Sequence, residues 1–475
     1  MVAQHTAPGM STGLDETTIM DFIGRLRGPA ILPGSDDYDE ARSVRNGMID
    51  RRPEIIVRCS GVADVVEAVN FARDNGLLLS VRGGAHNVAG NAVNDGGVVI
   101  DLSGMKAAHV DPVSRTARAQ GGATWGDIDR ETQLFGLAAP GGVVSTTGIG
   151  GLTLHGGLGH LRRKHGLSLD NLVSVDIVTA DGQVRHASES ENSDLFWAVR
   201  GAGSNFGVIV SFEFRLHPVG PMVALCAPMF AAGDRSGIVR AWRDFVDGAP
   251  DEVNSIFLFW NVPDNEHFPE EARRQPVGIA AAVYAGPLEE GERVLQPLRE
   301  IATPLLDLSG PITYTALQGA FDPFFPKGRR YYWKSIYVDT LTDDAVDTYA
   351  QCAEKRPSIL SSATLWHLGG AIGRVDPTAT AYYRRDAPYL FAAEASWDDP
   401  AADDANIAWA RDSLAAMQPY SRGGAYLNFP GFGEEKETML RAAYGPNYDR
   451  LAAIKHKYDP GNLFRMNLNI KPVAG

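Results

Sequence analysis

Over residues 64–75 the apolar positions Val65, Val66, Ala68, Val69, Phe71 and Ala72 recur at three- and four-residue intervals, which predicts a helix packed on a sheet and ended by Gly76. An apolar run at 77–79 and another at 98–100, the second preceded by Asn94-Asp95-Gly96-Gly97, predict two strands with a glycine-bearing loop between them. Residues 109–113 and 116–119 read as a hairpin, and Thr124 with Asp127 opens an amphipathic helix that closes near Gly136. Residues 172–186 form a second hairpin turning at Asp181-Gly182, Ser193 caps a short helix carrying Leu195, Phe196, Trp197 and Val199, and residues 208–216 make a strand ending at His217-Pro218. Strands, hairpins and short helices mixed in this way indicate an α+β fold, with a boundary at 218–221. Beyond it, helical stretches at 235–246, 289–301 and 343–356 accompany strands at 255–260 and 389–394.

Two loops stand out chemically. In 80–90, Gly83 and Gly84 can take positive φ and carry no β-carbon, so their N–H groups can converge on an anion such as a pyrophosphate. Arg82 adds a positive charge, and His86 projects from the same loop, where a histidine can be either a hydrogen-bonded bystander or a reactive group. The second loop, 139–159, places Ser145, Thr146 and Thr147 among many glycines and suits a backbone pressed against a flat or phosphorylated ligand, although a glycine-rich surface loop has the same composition. The string at 201–207 has the wrong final spacing for a nicotinamide-dinucleotide fingerprint and precedes a strand, whereas that motif opens a helix.

A chain of 475 residues is long enough for two or three domains, and 44% hydrophobic with 21% charged residues is ordinary for a globular protein. No segment approaches the ~20 unbroken apolar residues of a membrane span, and the first residues lack the order of a secretory signal. A net charge of -14 argues against a nucleic-acid partner. Cys59, Cys226 and Cys352 are scattered and odd in number, which predicts neither a disulfide framework nor a metal cluster and fits a reducing cytoplasm. Residues 1–17 are small and polar and are expected to form a disordered tail.

From about Arg51 to Pro472 the chain resembles the berberine bridge enzyme-like oxidoreductases, a branch of the vanillyl-alcohol-oxidase flavoproteins, in six strings that come in the family's order. These are Arg82 to His86, Gly141 to Gly151, Lys164 to Asn171, Phe196 to Gly207, Tyr426-Leu427-Asn428 and Asn467-Leu468-Asn469-Ile470. The resemblance implies a PCMH-type FAD-binding domain made of residues 18–218 and 421–475, with an inserted α+β substrate domain at 219–420 whose antiparallel sheet, covered by helices, roofs the active site. It implies FAD bonded covalently to His86 and held by Arg82, Gly83, Gly84, Ala85, Asn87, Gly90, Gly142, Ser145, Thr146, Gly148, Gly151, Ile209, Asn467 and Asn469.

Many members of the family carry a second flavin linkage through a cysteine; Val144 stands there, so the chain is similar to the singly linked bacterial type represented by 6-hydroxy-D-nicotine oxidase. The implied activity is an oxidase of secondary or catabolic metabolism that takes a hydride from an alcohol, sugar or amine carbon of a small organic substrate and is reoxidised by oxygen. Thr147, at a position that influences oxygen access, keeps a dehydrogenase or an oxygenating or cyclising enzyme open. Tyr426 is the expected base, in need of a nearby positive charge or a hydrogen-bonded relay, and Asn428 its orienting partner. Tyr331, Tyr332 and Trp333 beside Arg329 and Arg330 are second candidates for the cavity wall, and His155 interrupts a run of glycines with no role assigned. No metal is expected, nor a nucleic-acid or membrane partner, and the protein is expected to be a monomer or homodimer.

Overall fold

The stretch Ile55-Ile56-Val57 is apolar at every position because its strand is covered on both faces. Ile55–Arg58 lies parallel to Val98–Asp101, which lies parallel to Leu79–Arg82, and Ala30–Ile31 closes the outer edge antiparallel. The helix Val62–Asp74 crosses over from Ile55–Arg58 to Leu79–Arg82, the two strands that flank Val98–Asp101, and buries Val65, Ala68, Val69 and Ala72. The structure, a computed structural model, describes residues 14–432 and 437–473. Residues 1–13 of the expected tail lie outside the described residues, and the helix Glu16–Ile23 already starts within the stretch expected to trail, capped by Asp15 accepting the Thr18 N–H.

A second, antiparallel sheet runs in the order Ala108–Asp111, Thr116–Gln120, Val208–Arg215, Leu172–Val178, Val184–Ser188. The two expected hairpins are its outer pairs, and the strand after Gly207 is its centre, burying Val208, Val210, Phe212 and Phe214. The helix Trp125–Thr132 starts on a capping box between Thr124 and Asp127, as its sequence predicts. The cap of Ser193–Ala202 differs from expectation: Asn192, in the left-handed conformation at φ 45°, precedes the helix, and Ser193 is its first residue. Asparagine tolerates that conformation better than serine, which explains the shift by one position.

From Met222 onward the chain builds one nine-stranded antiparallel sheet, with Ser362–His367, Tyr389–Trp397 and Arg330–Val338 adjacent at one end. Its outer face is covered by the helices Arg235–Asp247, Leu288–Arg299, Asp343–Glu354 and Asp403–Met417, whose Trp242, Leu295, Tyr349 and Trp409 pack with Phe257, Leu365 and Phe391. The opposite face, through Ile256, Leu258, Trp366 and Ala392, packs with Leu158, Leu167, Leu169 and Tyr426. The α+β architecture and the helix-covered antiparallel roof are therefore as expected.

The last helices, Glu437–Tyr444 and Asn447–Tyr458, return to the first part and share one core with Trp125, Phe196 and Phe212. The return is fastened by Lys455, wholly buried, whose Nζ donates to Asp459 at 2.5 Å, to the Asn205 carbonyl at 2.7 Å and to the Phe464 carbonyl at 2.8 Å. Asn205 lies in the 196–207 string, and its Oδ1 accepts the Ile470 N–H at 2.9 Å. Lys455→Met leaves the Asp459 carboxylate buried without its counter-charge, and urea unfolding is expected to show a loss of about 3–5 kcal/mol.

Candidate active site

Strand Leu79–Arg82 delivers residues 83–87 to the edge of a large cavity, and the second glycine loop meets them there. A β-carbon on Gly84 would lie 2.3 Å from the Gly148 nitrogen, and one on Gly148 would lie 2.4 Å from the Gly84 nitrogen. The loops therefore touch backbone to backbone, a separation that only glycine allows. Ala85 sits at φ 53°, uncommon for a residue with a side chain, and directs His86 between two threonines. His86 Nε2 lies 2.9 Å from Thr146 Oγ1, and Nδ1 lies 3.2 Å from Thr147 Oγ1. Arg45 donates to Thr146 Oγ1 at 2.8 Å. Burial, and secondarily the Arg45 charge, hold the His86 imidazole well below its ordinary pKa, so the ring is neutral at physiological pH.

The cavity encloses about 1,670 Å³ of atom-free space, counting its open mouth. One side is rich in glycine, with Gly83, Gly84, Gly121, Gly148, Gly150 and Gly151 alongside Ile209. The other side carries Phe325, Trp333, Trp366 and Glu394 from the nine-stranded sheet and its approaches, with Tyr426, Asn428, Phe429 and Asn467 from the C-terminal segment. Asn91 Nδ2 donates to Asn467 Oδ1 at 3.1 Å and ties that segment to the first loop. A glycine-rich wall, a neutral imidazole at its edge and two loops of backbone amides fit a flat ring carrying a diphosphate tail, which is the chemistry of FAD.

Tyr426 is 2% exposed, and its phenol oxygen accepts three N–H groups: Gly157 at 3.1 Å, Leu158 at 3.1 Å and Asn428 Nδ2 at 2.9 Å. Asn428 Nδ2 also donates to the Leu152 carbonyl at 3.1 Å, which fixes the amide. Burial pushes the phenol pKa up, and these donors pull against it by favouring the phenolate. The expected helper was a positive charge or a relay; neutral N–H dipoles occupy that place. His155 also lines the cavity, its Nε2 3.1 Å from Ser204 Oγ, and burial pushes it down to about 4.

Of the residues expected at the cofactor, Gly83, Gly84, Ala85, His86, Asn87, Gly148, Gly151, Ile209 and Asn467 line this cavity, and Thr146 reaches it through His86. Others stand behind the wall. Arg82 donates to the Ala41 carbonyl, Gly90 is pressed on Ile49, and Gly142 lies against Leu152. Ser145 gives its N–H to Asp322 at 2.8 Å and so ties the loop to the roof, and Asn469 leaves its Oδ1 unpartnered among the described residues. Of the aromatic trio only Trp333 lines the cavity, because the strand alternates: Tyr332 packs with Phe432 on the helix side. Tyr331 donates to the Pro326 carbonyl, and Arg329 and Arg330 pair with Asp398 and Asp403. Sequence reasoning missed Arg45, Trp366 and Glu394; the one usable signal was a lone carboxylate inside an otherwise uncharged strand, Tyr389–Trp397.

Residues 53–188 match the FAD binding domain family, and residues 425–471 match the berberine and berberine-like family. The chain is 33% identical to (R)-6-hydroxynicotine oxidase of Paenarthrobacter nicotinovorans, over 94% of this chain and 97% of that one. It is 28% identical to chitooligosaccharide oxidase of Gibberella zeae, over 94% and 93%. The solved structure of 6-hydroxy-D-nicotine oxidase from Arthrobacter nicotinovorans superposes with a TM-score of 0.83 at 32% identity, covering 94% of this chain and 98% of that one.

The acid stability of the site follows from His155 and from His160, which burial pushes down to about 3. Both folded pKa values lie below the ordinary 6.5, so below pH 6.5 the unfolded chain binds more protons than the folded one. Their contribution is complete above pH 6.5 and is lost as pH falls toward 4, each group costing up to about 1.4 kcal/mol per pH unit. Urea midpoints measured across pH 7 to 4 should fall, and His160→Gln should flatten the slope by about one proton.

Proposed function

The chain belongs to the berberine bridge enzyme-like FAD-linked oxidoreductases, and on that premise we propose an FAD-dependent oxidase that takes a hydride from an alcohol, sugar or amine carbon of a small organic substrate. In this reading His86 holds the flavin covalently and molecular oxygen is the final acceptor. The observation that carries it is the meeting, in one cavity, of the neutral His86 imidazole from one end of the chain with the triply hydrogen-bonded Tyr426 phenol from the other.

FAD, when bound, supplies the two-electron acceptor. The chain's own part begins with His86. A neutral imidazole keeps a lone pair on one ring nitrogen, which a bond to carbon requires, and a threonine hydroxyl at each nitrogen can donate or accept as the tautomer demands. Val144, buried at the other position used for linkage in the family, offers only methyl groups, so a single link is proposed. Tyr426 acts as a phenolate and takes the substrate's hydroxyl or amine proton as the hydride leaves, becoming a neutral phenol; the amides of Gly157 and Leu158 and the Asn428 side chain stabilise the phenolate before that transfer. Asn428 cannot move a proton, and its role is to orient the phenol. Three free, buried cysteines suit a reducing compartment, and a cytoplasmic location completes the proposal.

Acid precipitation of the purified protein tests the linkage: flavin colour should stay in the pellet for the native chain and pass to the supernatant for His86→Ala. Native protein releasing its flavin to acid would refute the covalent role. Tyr426→Phe should lower kcat/KM by about 10²–10⁴ with the flavin retained, and kcat/KM of the native enzyme should climb with pH through the neutral range. Asn428→Ala, which removes one donor to the phenolate, should move that rise to higher pH.

A further inference from the structure

We propose that the cavity selects an organic cation, a protonated amine or charged nitrogen heterocycle, with the Glu394 carboxylate as its counter-ion and the indoles of Trp333 and Trp366 as aromatic walls. This rests on the oxidase reading above and narrows its substrate class.

Glu394 sits in the middle of a strand buried along its whole length, and is itself 7% exposed. Its cross-strand neighbours are Ser362 on one side and Trp333 on the other. Ser362 Oγ and Thr364 Oγ1 both donate to the same oxygen, Oε2, each at 2.7 Å. Oε1 accepts from none of the described residues and opens on the cavity that Glu394 lines. Among the described residues no lysine, arginine or histidine forms an ion pair with it. Two hydroxyls meet half of the carboxylate's demand for donors, and its charge has no counter-charge among the described residues. A buried carboxylate of this kind is costly unless something that enters the cavity completes it.

The walls agree with a cation. Trp366 stands two residues beyond Thr364 on the same strand and therefore on the same face, as Trp333 stands opposite Glu394. Trp333 meets Phe325 and Phe429 edge to face at 5.5 and 5.3 Å, and Phe429 meets Tyr426 at 5.2 Å, so aromatic rings run from the carboxylate toward the phenol. Indole faces attract cations, and the Arg162 guanidinium lies 5.2 Å from the Trp366 centroid. A sugar would need a set of paired donors and acceptors, whereas among the described residues Glu394 is the single charged side chain that the roof presents to the cavity. Burial raises the Glu394 pKa, with the two hydroxyls pulling against it, and a cation beside the group would favour its charged form.

The test uses the full-length, flavin-loaded protein. N,N-dimethylbenzylamine, charged at pH 7, and benzyl methyl ether, its uncharged counterpart of similar shape, are titrated while flavin absorbance and heat of binding are followed. The native protein should bind the amine at least tenfold more tightly than the ether. Glu394→Gln should weaken amine binding about tenfold and leave ether binding within twofold, and Glu394→Asp should retain most of the preference. Equal affinity for amine and ether in the native protein, or an amine affinity unmoved in Glu394→Gln, overturns the proposal. The native comparison decides the matter even if the variants fail to fold. A protein that carries flavin yet shows no preference for charge sinks this inference alone, whereas one that binds no flavin sinks the oxidase reading first.

Discussion

Gly84 and Gly148 meet with no space between them for a methyl group, and the site is assembled around that contact. Because the loops touch along their backbones, the side chains that follow them come together: His86 from one, Thr146 and Thr147 from the other. The same closeness brings the glycines of both loops to one cavity wall, so a flat ring can approach their backbones. It also buries His86, and that burial, aided by Arg45, keeps the imidazole neutral. Packing and chemistry are thus one constraint here, since any residue larger than glycine at either position would separate the histidine from its threonines.

The nine-stranded sheet imposes a second constraint through its period of two. Odd and even positions of Arg330–Val338 part company, with Tyr332 in the helix-covered core and Trp333 in the cavity wall. Because the sheet is covered on both faces, its strands are nearly all apolar, and a polar group facing the cavity has to be satisfied by neighbours. The Ser362 and Thr364 hydroxyls do this for one oxygen of Glu394. The phenol oxygen of Tyr426 is treated more generously, with three donors, and the difference separates a phenol whose neighbours favour its ionised form from a carboxylate with one oxygen left open to a positive ligand.

The C-terminal segment links these two constraints. It brings Tyr426 and Asn428 under the roof, then carries Asn467 to Asn91 beside the first loop, while the buried Lys455 anchors the return on Asn205 and Phe464. A floor, a roof and a wall from three regions of the chain are needed before a cavity exists. Loss of the Lys455 network would therefore disturb the site through Phe464, whose carbonyl Lys455 holds and which lines the cavity.

Much of this was legible in the chain itself. Local patterns determined the crossover helix after Val62, the capping box at Thr124, the hairpin at Asp181-Gly182 and the α+β class, because periodicity and turn chemistry act over a few residues. The glycine loops and the strings around His86 and Tyr426 pointed to FAD for a related reason: a backbone that must approach a cofactor closely restricts residue identity at each position. Only the tertiary structure decided which of those residues face the cavity. It turned Ser145 to Asp322 and Arg82 to Ala41, set Trp333 rather than Tyr332 in the wall, and brought Glu394 level with Ser362 and Trp333. Register and loop contact join positions tens to hundreds of residues apart, and no local rule of sequence encodes which partner lies opposite.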